Sequence, residues 1–186
     1  VKVSSYAGSG KAGNYNDDNL NAEFNAPSGI AVDAQGNIYV SDYYNHNIRK
    51  IDINGVVSTF AGSNLSGAND GNGTGASFNK PRGIDFDNDG NLIVTDYKNH
   101  TIRKIDKSAN VSTIAGTAGV QGFENGQGKT AKFKYPYDIA IDNENNIYVA
   151  DKNNHLIRKI DTSGLVSNFA GSGTKDTVDG QGANAS

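Results

Sequence analysis

The chain has 186 residues, enough for one domain with its own core; it is 35% hydrophobic, 20% charged and 9% aromatic, with 23 glycines. A net charge of −3 builds no broad positive field of the kind that nucleic acid or an anionic membrane requires. With no cysteine there is neither a disulfide framework nor thiolate chemistry, and no apolar run approaches the ~20 residues that cross a bilayer.

The chain opens at Val1 and holds no Met, so a processed product or an excised piece of something longer is expected. Positions 3–8 align with positions 57–62, which predicts an orphan outer strand within 1–8. The organising unit follows. It runs from Pro27-Ser28-Gly29-Ile30-Ala31-Val32-Asp33 to Asn47-Ile48-Arg49-Lys50-Ile51-Asp52 and returns at 81–106 and 136–161, at offsets of 54 and 55. His46, His100 and His155 keep the same two spacings. A fixed period of this length marks a repeat architecture and outranks any local motif.

Each copy reads as four short strands. Positions 29–33 are almost continuously apolar, as in a strand buried on both faces. Ala34-Gln35-Gly36 turns the chain into 37–41, giving a hairpin signal. A polar turn at 42–45 precedes a third strand at 47–52, and Asn54-Gly55 sets up a fourth at 56–61. The second copy places its strands at 83–87, 91–95, 101–106 and 111–115; the third places them at 138–142, 146–150, 156–161 and 165–170. No stretch sustains a 3.6-residue apolar period, so essentially no helix is expected. Gly-rich links occupy 62–80 and 116–135, and each ends in an aromatic just before the proline, Phe78 or Phe133, as Phe24 precedes Pro27. These aromatics read as packing plugs at the entrance of each unit.

Four strands per unit of ~54 residues describe a blade of an all-β β-propeller. The expected organisation is a single propeller segment over 1–186, with blades at 24–62, 78–116 and 133–171 and the extra outer strand at 1–8. A blade cannot bury both faces alone, and propellers close with about 4–8 blades, so three need others beside them. Those others come from a second copy or from the same longer chain, and the extra strand favours the longer chain. The sequence stops at Ala185-Ser186, where the next anchor aromatic is due.

Three runs carry a family resemblance: Asp42-Tyr43-Tyr44-Asn45-His46-Asn47-Ile48-Arg49-Lys50-Ile51, then 96–105, then 151–160, which contains Asn154-His155-Leu156. With the flanking Pro-x-Gly-Ile and Gly-Asn-Ile-Tyr-Val patterns, positions 24–171 resemble the NHL-repeat proteins, particularly bacterial secreted and cell-surface members with Gly-rich links. The resemblance implies a propeller of usually six blades, of which this chain would supply half, and an extracellular or cell-surface location. It also implies a role in binding proteins, glycans or RNA. A minority of relatives are lyases or lactonase-like enzymes, so fold is specified better than function.

Each candidate site has a plainer reading beside it. Three histidines invite zinc, but His46, His100 and His155 fill one slot in successive units, and ring symmetry separates them instead of converging them on an ion ~2 Å away. A structural role is expected. The pairs Asp42/Arg49, Asp96/Arg103 and Asp151/Arg158 likewise read as repeated hydrogen-bonded ties. Asp85, Asp87 and Asp89, followed by Gly90 and Asp96, imitate a calcium loop, but the last ligand is Asp where Glu is usual, and Asp85 and Asp87 fall in a strand. No cofactor is therefore expected. There is no nucleophile elbow and no Cys, so no catalytic residue is assigned.

Positions that vary from copy to copy are free to specify a partner. In the turn after the second strand they are Tyr43 and Tyr44, then Tyr97 and Lys98, then Lys152 and Asn153; after the proline they are Ser28, Arg82 and Tyr137. These loops are expected on one face, as a surface for a protein or glycan. RNA is disfavoured by the acidic balance. The alternative is an enzyme using the channel mouth with a metal, needing an acid unique to one blade; the non-repeated acids are Asp138, Glu144 and Glu124.

Overall fold

Short β-branched runs cut by aspartate turns give three antiparallel meanders in the computed structural model, which describes residues 1–185 and leaves Ser186 outside. The first sheet comprises β1 (Pro27–Val32), β2 (Ile38–Asp42), β3 (Asn47–Ile51) and β4 (Val57–Ala61). The second comprises β5 (Gly71–Asn72), β6 (Pro81–Phe86), β7 (Leu92–Asp96), β8 (Thr101–Ile105) and β9 (Asn110–Ala115). The third comprises β10 (Gly126–Gln127), β11 (Pro136–Ile141), β12 (Ile147–Asp151), β13 (Leu156–Ile160) and β14 (Leu165–Ala170). No α-helix occurs among the described residues; the helical pieces are single 3₁₀ turns such as Tyr43–Asn45 and Lys152–Asn154.

The meanders start and stop where side-chain chemistry dictates. Asp87, which the sequence placed in a strand, lies just past β6 and accepts the backbone N–H groups of Asp89 (3.1 Å) and Asn91 (2.7 Å). Asp33 and Asp142 close the equivalent turns in the same way.

Two features differ from the four-strand reading. The two-residue strands β5 and β10 come from the Gly-rich links and pair with β9 and β14, making five-stranded sheets. Each link also clasps the preceding blade. Gly73 accepts from the Gly62 N–H (3.1 Å) and donates to the Ala109 carbonyl (2.8 Å); Gly128 does the same between Gly116 (3.2 Å) and Gly164 (2.9 Å). Both glycines sit at positive φ, +51° and +48°, where a side chain would be strained. The second difference is at the start. Residues 1–6 form no strand, and Val1, Val3 and Tyr6 are exposed, so the predicted orphan strand at 1–8 is corrected. A fourth strand exists by pairing with a third, and no third strand lies beside it among the described residues. From Gly8 onward the chain instead takes the path of a link. Ala12 bridges Phe24 in parallel, as Ser66 bridges Phe78 and Gln121 bridges Phe133.

The inner strands β1, β6 and β11 face one another across the blade interfaces. They approach so closely that a Cβ on Gly29 would strike the Arg82 carbonyl oxygen, and one on Gly83 would strike the Asp138 backbone. Between the first two blades Tyr39 sits edge-on to Phe60 (5.0 Å) and to Phe86 of the next blade (5.3 Å). Between the second and third, Ile114 and Ile141 pack against a buried cluster that joins Ile93 and Ile102 to Ile139, Ile147 and Ile160. The outer flanks repeat half of this arrangement. Tyr148 sits edge-on to Phe169 (4.9 Å), yet Phe169 is 53% exposed; Val32, at the position of Phe86, is 58% exposed.

The repeated Asp–Arg pairs are buried ties between link and blade. Arg49–Asp42 (3.0 Å), Arg103–Asp96 (2.8 Å) and Arg158–Asp151 (3.0 Å) all have fully buried side chains. Each Asp also accepts a link N–H, from Asn25, Asn79 or Lys134 (2.7–2.8 Å). The Arg reaches back to link carbonyls, those of Glu23 and Tyr15 for Arg49 and those of Ser77 and Asn69 for Arg103. Phe24, Phe78 and Phe133 lie 5.0–5.2 Å beneath the three guanidiniums.

The Asn-His run completes each tie. Asn45, Asn99 and Asn154 donate to that same Asp (2.7–2.8 Å) and to a link carbonyl (2.6 Å). The following His takes a left-handed conformation (φ 55–60°), and in the first two blades it reaches the link that enters the next one. His46 Nδ1 accepts the Lys80 N–H and His100 Nδ1 accepts the Tyr135 N–H, both at 3.1 Å. Accepting there requires neutral rings, and burial, helped by Lys80 and Lys98, pushes both imidazoles below their usual range. Their contribution to stability is therefore present above pH 6.5 and lost as pH falls through the lowered values.

Candidate binding face

The turns after β2, β7 and β12 and the starts of β1, β6 and β11 meet at one end of the inner strands. The proline at the head of each inner strand pairs with the last residue of the second strand, Pro27 with Asp42, Pro81 with Asp96 and Pro136 with Asp151. Residues after the proline and residues after that Asp are thereby neighbours. Across the three blades they enclose a depression of about 410 Å3 lined by Ser28, Tyr43, Tyr44, Arg82, Tyr137 and Asp138, among others.

The varying positions form one belt. Tyr43 lies 4.8 Å from Tyr44 and 6.3 Å from Tyr97, and Tyr97 lies 6.1 Å from Tyr137. Arg82 sits among them, its guanidinium carbon 3.7 Å from the Tyr137 centroid, 5.0 Å from Tyr43 and 5.3 Å from Tyr97. The Lys98 and Lys152 ammoniums cap Tyr97 (6.0 Å) and Tyr137 (4.7 Å). Burial raises the Tyr43 hydroxyl above its ordinary pKa, with Arg82 opposing, so the phenol stays protonated at neutral pH. Of the eight predicted positions, Asn153 stands apart: its N–H bonds the Lys134 carbonyl (3.1 Å), as those of Tyr44 and Lys98 bond Asn25 and Asn79 (both 3.0 Å), but it brings neither a ring nor a cation to the belt.

Two residues of the belt escaped the sequence reading. Tyr135 packs tilted against Tyr97, 5.1 Å between ring centres, and carries Lys98 over its ring at 4.8 Å; Lys80 lies 4.9 Å above Tyr44 and 5.4 Å above Tyr43. Both directly precede the proline, where Ala26, Lys80 and Tyr135 all adopt φ of 56–59°. Variation among these three aligned positions was the available signal.

The other candidate residues do not converge. The three histidines stay in separate blades, two of them bonded to the next blade. Asp96 is buried at the proline end of the β6–β7 hairpin, while Asp87 and Asp89 lie in the turn at its other end, so the calcium-like set is split across the length of a strand. Among the described residues no three His, Cys, Asp or Glu side chains cluster for a metal ion. Glu124 pairs with Lys132 (3.1 Å), and Glu144 lies in the turn after β11, away from the depression. Asp138 alone of the non-repeated acids lines it, at the position held by Gly29 and Gly83 in the other blades.

The family model described as NHL repeat matches residues 78–105 and 133–160, over the second and third blades, and the one described as Teneurin NHL domain matches residues 8–70. The chain belongs to the NHL-repeat family. Its NHL blades are 36% identical over 167 residues to the chloroplastic protein SUPPRESSOR OF QUENCHING 1 of Arabidopsis thaliana, covering 81% of this chain and 16% of that protein. They are 31% identical over 170 residues to human NHL repeat-containing protein 2, covering 81% and 23%. This chain thus spans less than a quarter of those relatives. Among solved structures, a Bacteroides thetaiotaomicron protein of unknown function superposes with a TM-score of 0.71 at 22% identity, covering 86% of this chain and 39% of that one. An auxiliary nutrient binding protein from the same species superposes at 0.64 with 18% identity, covering 81% and 37%. At these identities the superpositions establish the β-propeller fold of the NHL blades.

Proposed function

We propose that this NHL segment is a non-catalytic binding module of a larger secreted or cell-surface protein, and that its belt recognises a protein or a glycan. One observation carries the reading: the positions that vary among otherwise matched repeats converge on one face, while the repeated positions are consumed by structural ties. Aromatic and Arg side chains are the groups most often found at the centre of recognition surfaces. Screening against glycan and protein panels is expected to find a ligand whose binding falls at least tenfold with Tyr97→Ala and is untouched by Glu144→Ala. Equal loss in both variants, or loss in neither, rejects the belt as the site.

The competing reading, an enzyme of the lyase or lactonase type using a metal at the channel mouth, is supported by Asp138, the acid unique to one blade. It asks for further donors, because among the described residues Asp138 is the only carboxylate lining the depression and no His lines it.

As partners we propose further blades, from the same longer chain or a second copy. The support is the exposed Phe169 on one flank and the exposed Val32 on the other, each half of a contact that is closed between the internal blades. Purified alone, the chain is expected to run as a species heavier than its 19.6 kDa monomer in native mass measurement. A folded, soluble monomer with those flanks bare contradicts the proposal.

A further inference from the structure

Four arginines occur in the sequence, and three of them are spent on the buried ties. The fourth is Arg82. Among the described residues it makes no ion pair and no hydrogen bond; even its buried Nε has no partner, and only tyrosine rings hold it. Among the described residues Lys80, Lys98 and Lys152 around it also lack a counter-ion, each resting on a tyrosine face. In a chain of net charge −3, four unpaired cations on one face are a segregated charge, not an average surface.

The neighbouring groups narrow the chemistry. None of the hydroxyls of Tyr43, Tyr44, Tyr97, Tyr135 and Tyr137 bonds to protein among the described residues, and the Asp138 carboxylate contacts only its neighbour's N–H, that of Ile139 (3.0 Å). A planar guanidinium fork suits a carboxylate bidentately, and free phenols with one carboxylate acceptor suit a ligand rich in hydroxyls. Stacked nucleobases need open ring faces, and here cations cap them. An acidic peptide would bring its carboxylates toward Asp138 without hydroxyls to engage it.

We infer that the belt binds an acidic oligosaccharide, with a sugar carboxylate on Arg82 and sugar hydroxyls on the tyrosines and Asp138. The inference rests on the binding-module reading and sharpens it.

Isothermal titration of the full chain tests it, with oligogalacturonate, its methyl ester, a sulfated oligosaccharide, a neutral cello-oligosaccharide, a poly-glutamate peptide and an oligouridylate as probes. Oligogalacturonate is expected to bind, to weaken with salt, and to lose about tenfold or more with Arg82→Gln, since a hydrogen bond to a charged group carries at least that much. Arg82→Gln should still melt cooperatively, lowered only by the lost ring contacts, because Arg82 makes no hydrogen bond or ion pair to protein among the described residues. The methyl ester should bind far less. Tighter binding of the sulfated sugar would keep the anionic class and replace uronate by sulfate. Equal binding of the methyl ester or the neutral sugar would overturn the acidic class and leave the module reading standing. Tighter binding of the peptide or the RNA would overturn the sugar. Silence toward every sugar would also overturn it, while the Tyr97→Ala screen against proteins decides the broader reading separately.

Discussion

Arg103→Met is expected to destabilise the fold by about 3–5 kcal/mol, because it leaves a carboxylate buried without its cation. Asp96 and Arg103 are both fully buried at 2.8 Å, and Arg103 also holds the Ser77 and Asn69 carbonyls of the preceding link. Burial already pushes Asp96 up to about 6 against the pull of Arg103 and of the Asn79 and Asn99 hydrogen bonds. Removing the guanidinium raises it further. The sign of the pH effect follows. The folded state then holds a proton that the unfolded state, with a carboxyl near 3.8, releases. The deficit should be largest at neutral pH and shrink as pH falls toward and through 6. Urea unfolding at pH 7 and pH 5 reads both effects. An Asp96→Leu/Arg103→Met pair, which removes both charges, should lose less than the single variant at pH 7. A single-variant loss below about 1 kcal/mol, typical of a solvated pair, would show that the tie carries little.

The second large effect is expected at the anchor aromatics. Phe133 is fully buried beneath Arg158, with its centroid 5.2 Å from the guanidinium carbon, and Phe133→Ala should cost about 3–5 kcal/mol by opening a cavity and stripping that face of the cation. Phe24 holds the same position under Arg49 but is only partly buried, so Phe24→Ala should cost clearly less. The two variants compared by thermal melting separate packing from charge contact, since both lose the ring beneath a guanidinium and only one loses a sealed core. Equal losses would contradict the packing account.

Much of this arrangement was legible in the residues. The strands could be read because β-branched runs and aspartate turns recur at a fixed period, and the ties because Asp42/Arg49 and its copies recur with them. What was lost had physical reasons. Strands β5 and β10 are Gly-Asn and Gly-Gln, with no strand propensity of their own, and exist only because β9 and β14 offer an edge. Positions 3–8 match a fourth strand in sequence, but a strand is a pairing, and alignment carries no partner. The belt was visible as variation at Tyr43, Tyr97 and Arg82, whereas Lys80 and Tyr135 hid at the end of a link. Their side chains reach the belt through a positive φ that no pattern of apolar residues announces.

The glycine clasps at 73 and 128 bear on how such chains change length. Each repeat of 54–55 residues arrives with the segment that fastens it to the one before, so a tandem copy inserted or removed whole recreates every rim bond at the new junction. A break in any other frame separates a clasp from the edge it grips. Length variation in this lineage should therefore come in whole steps of one repeat, and recombination points should fall at a constant phase within it.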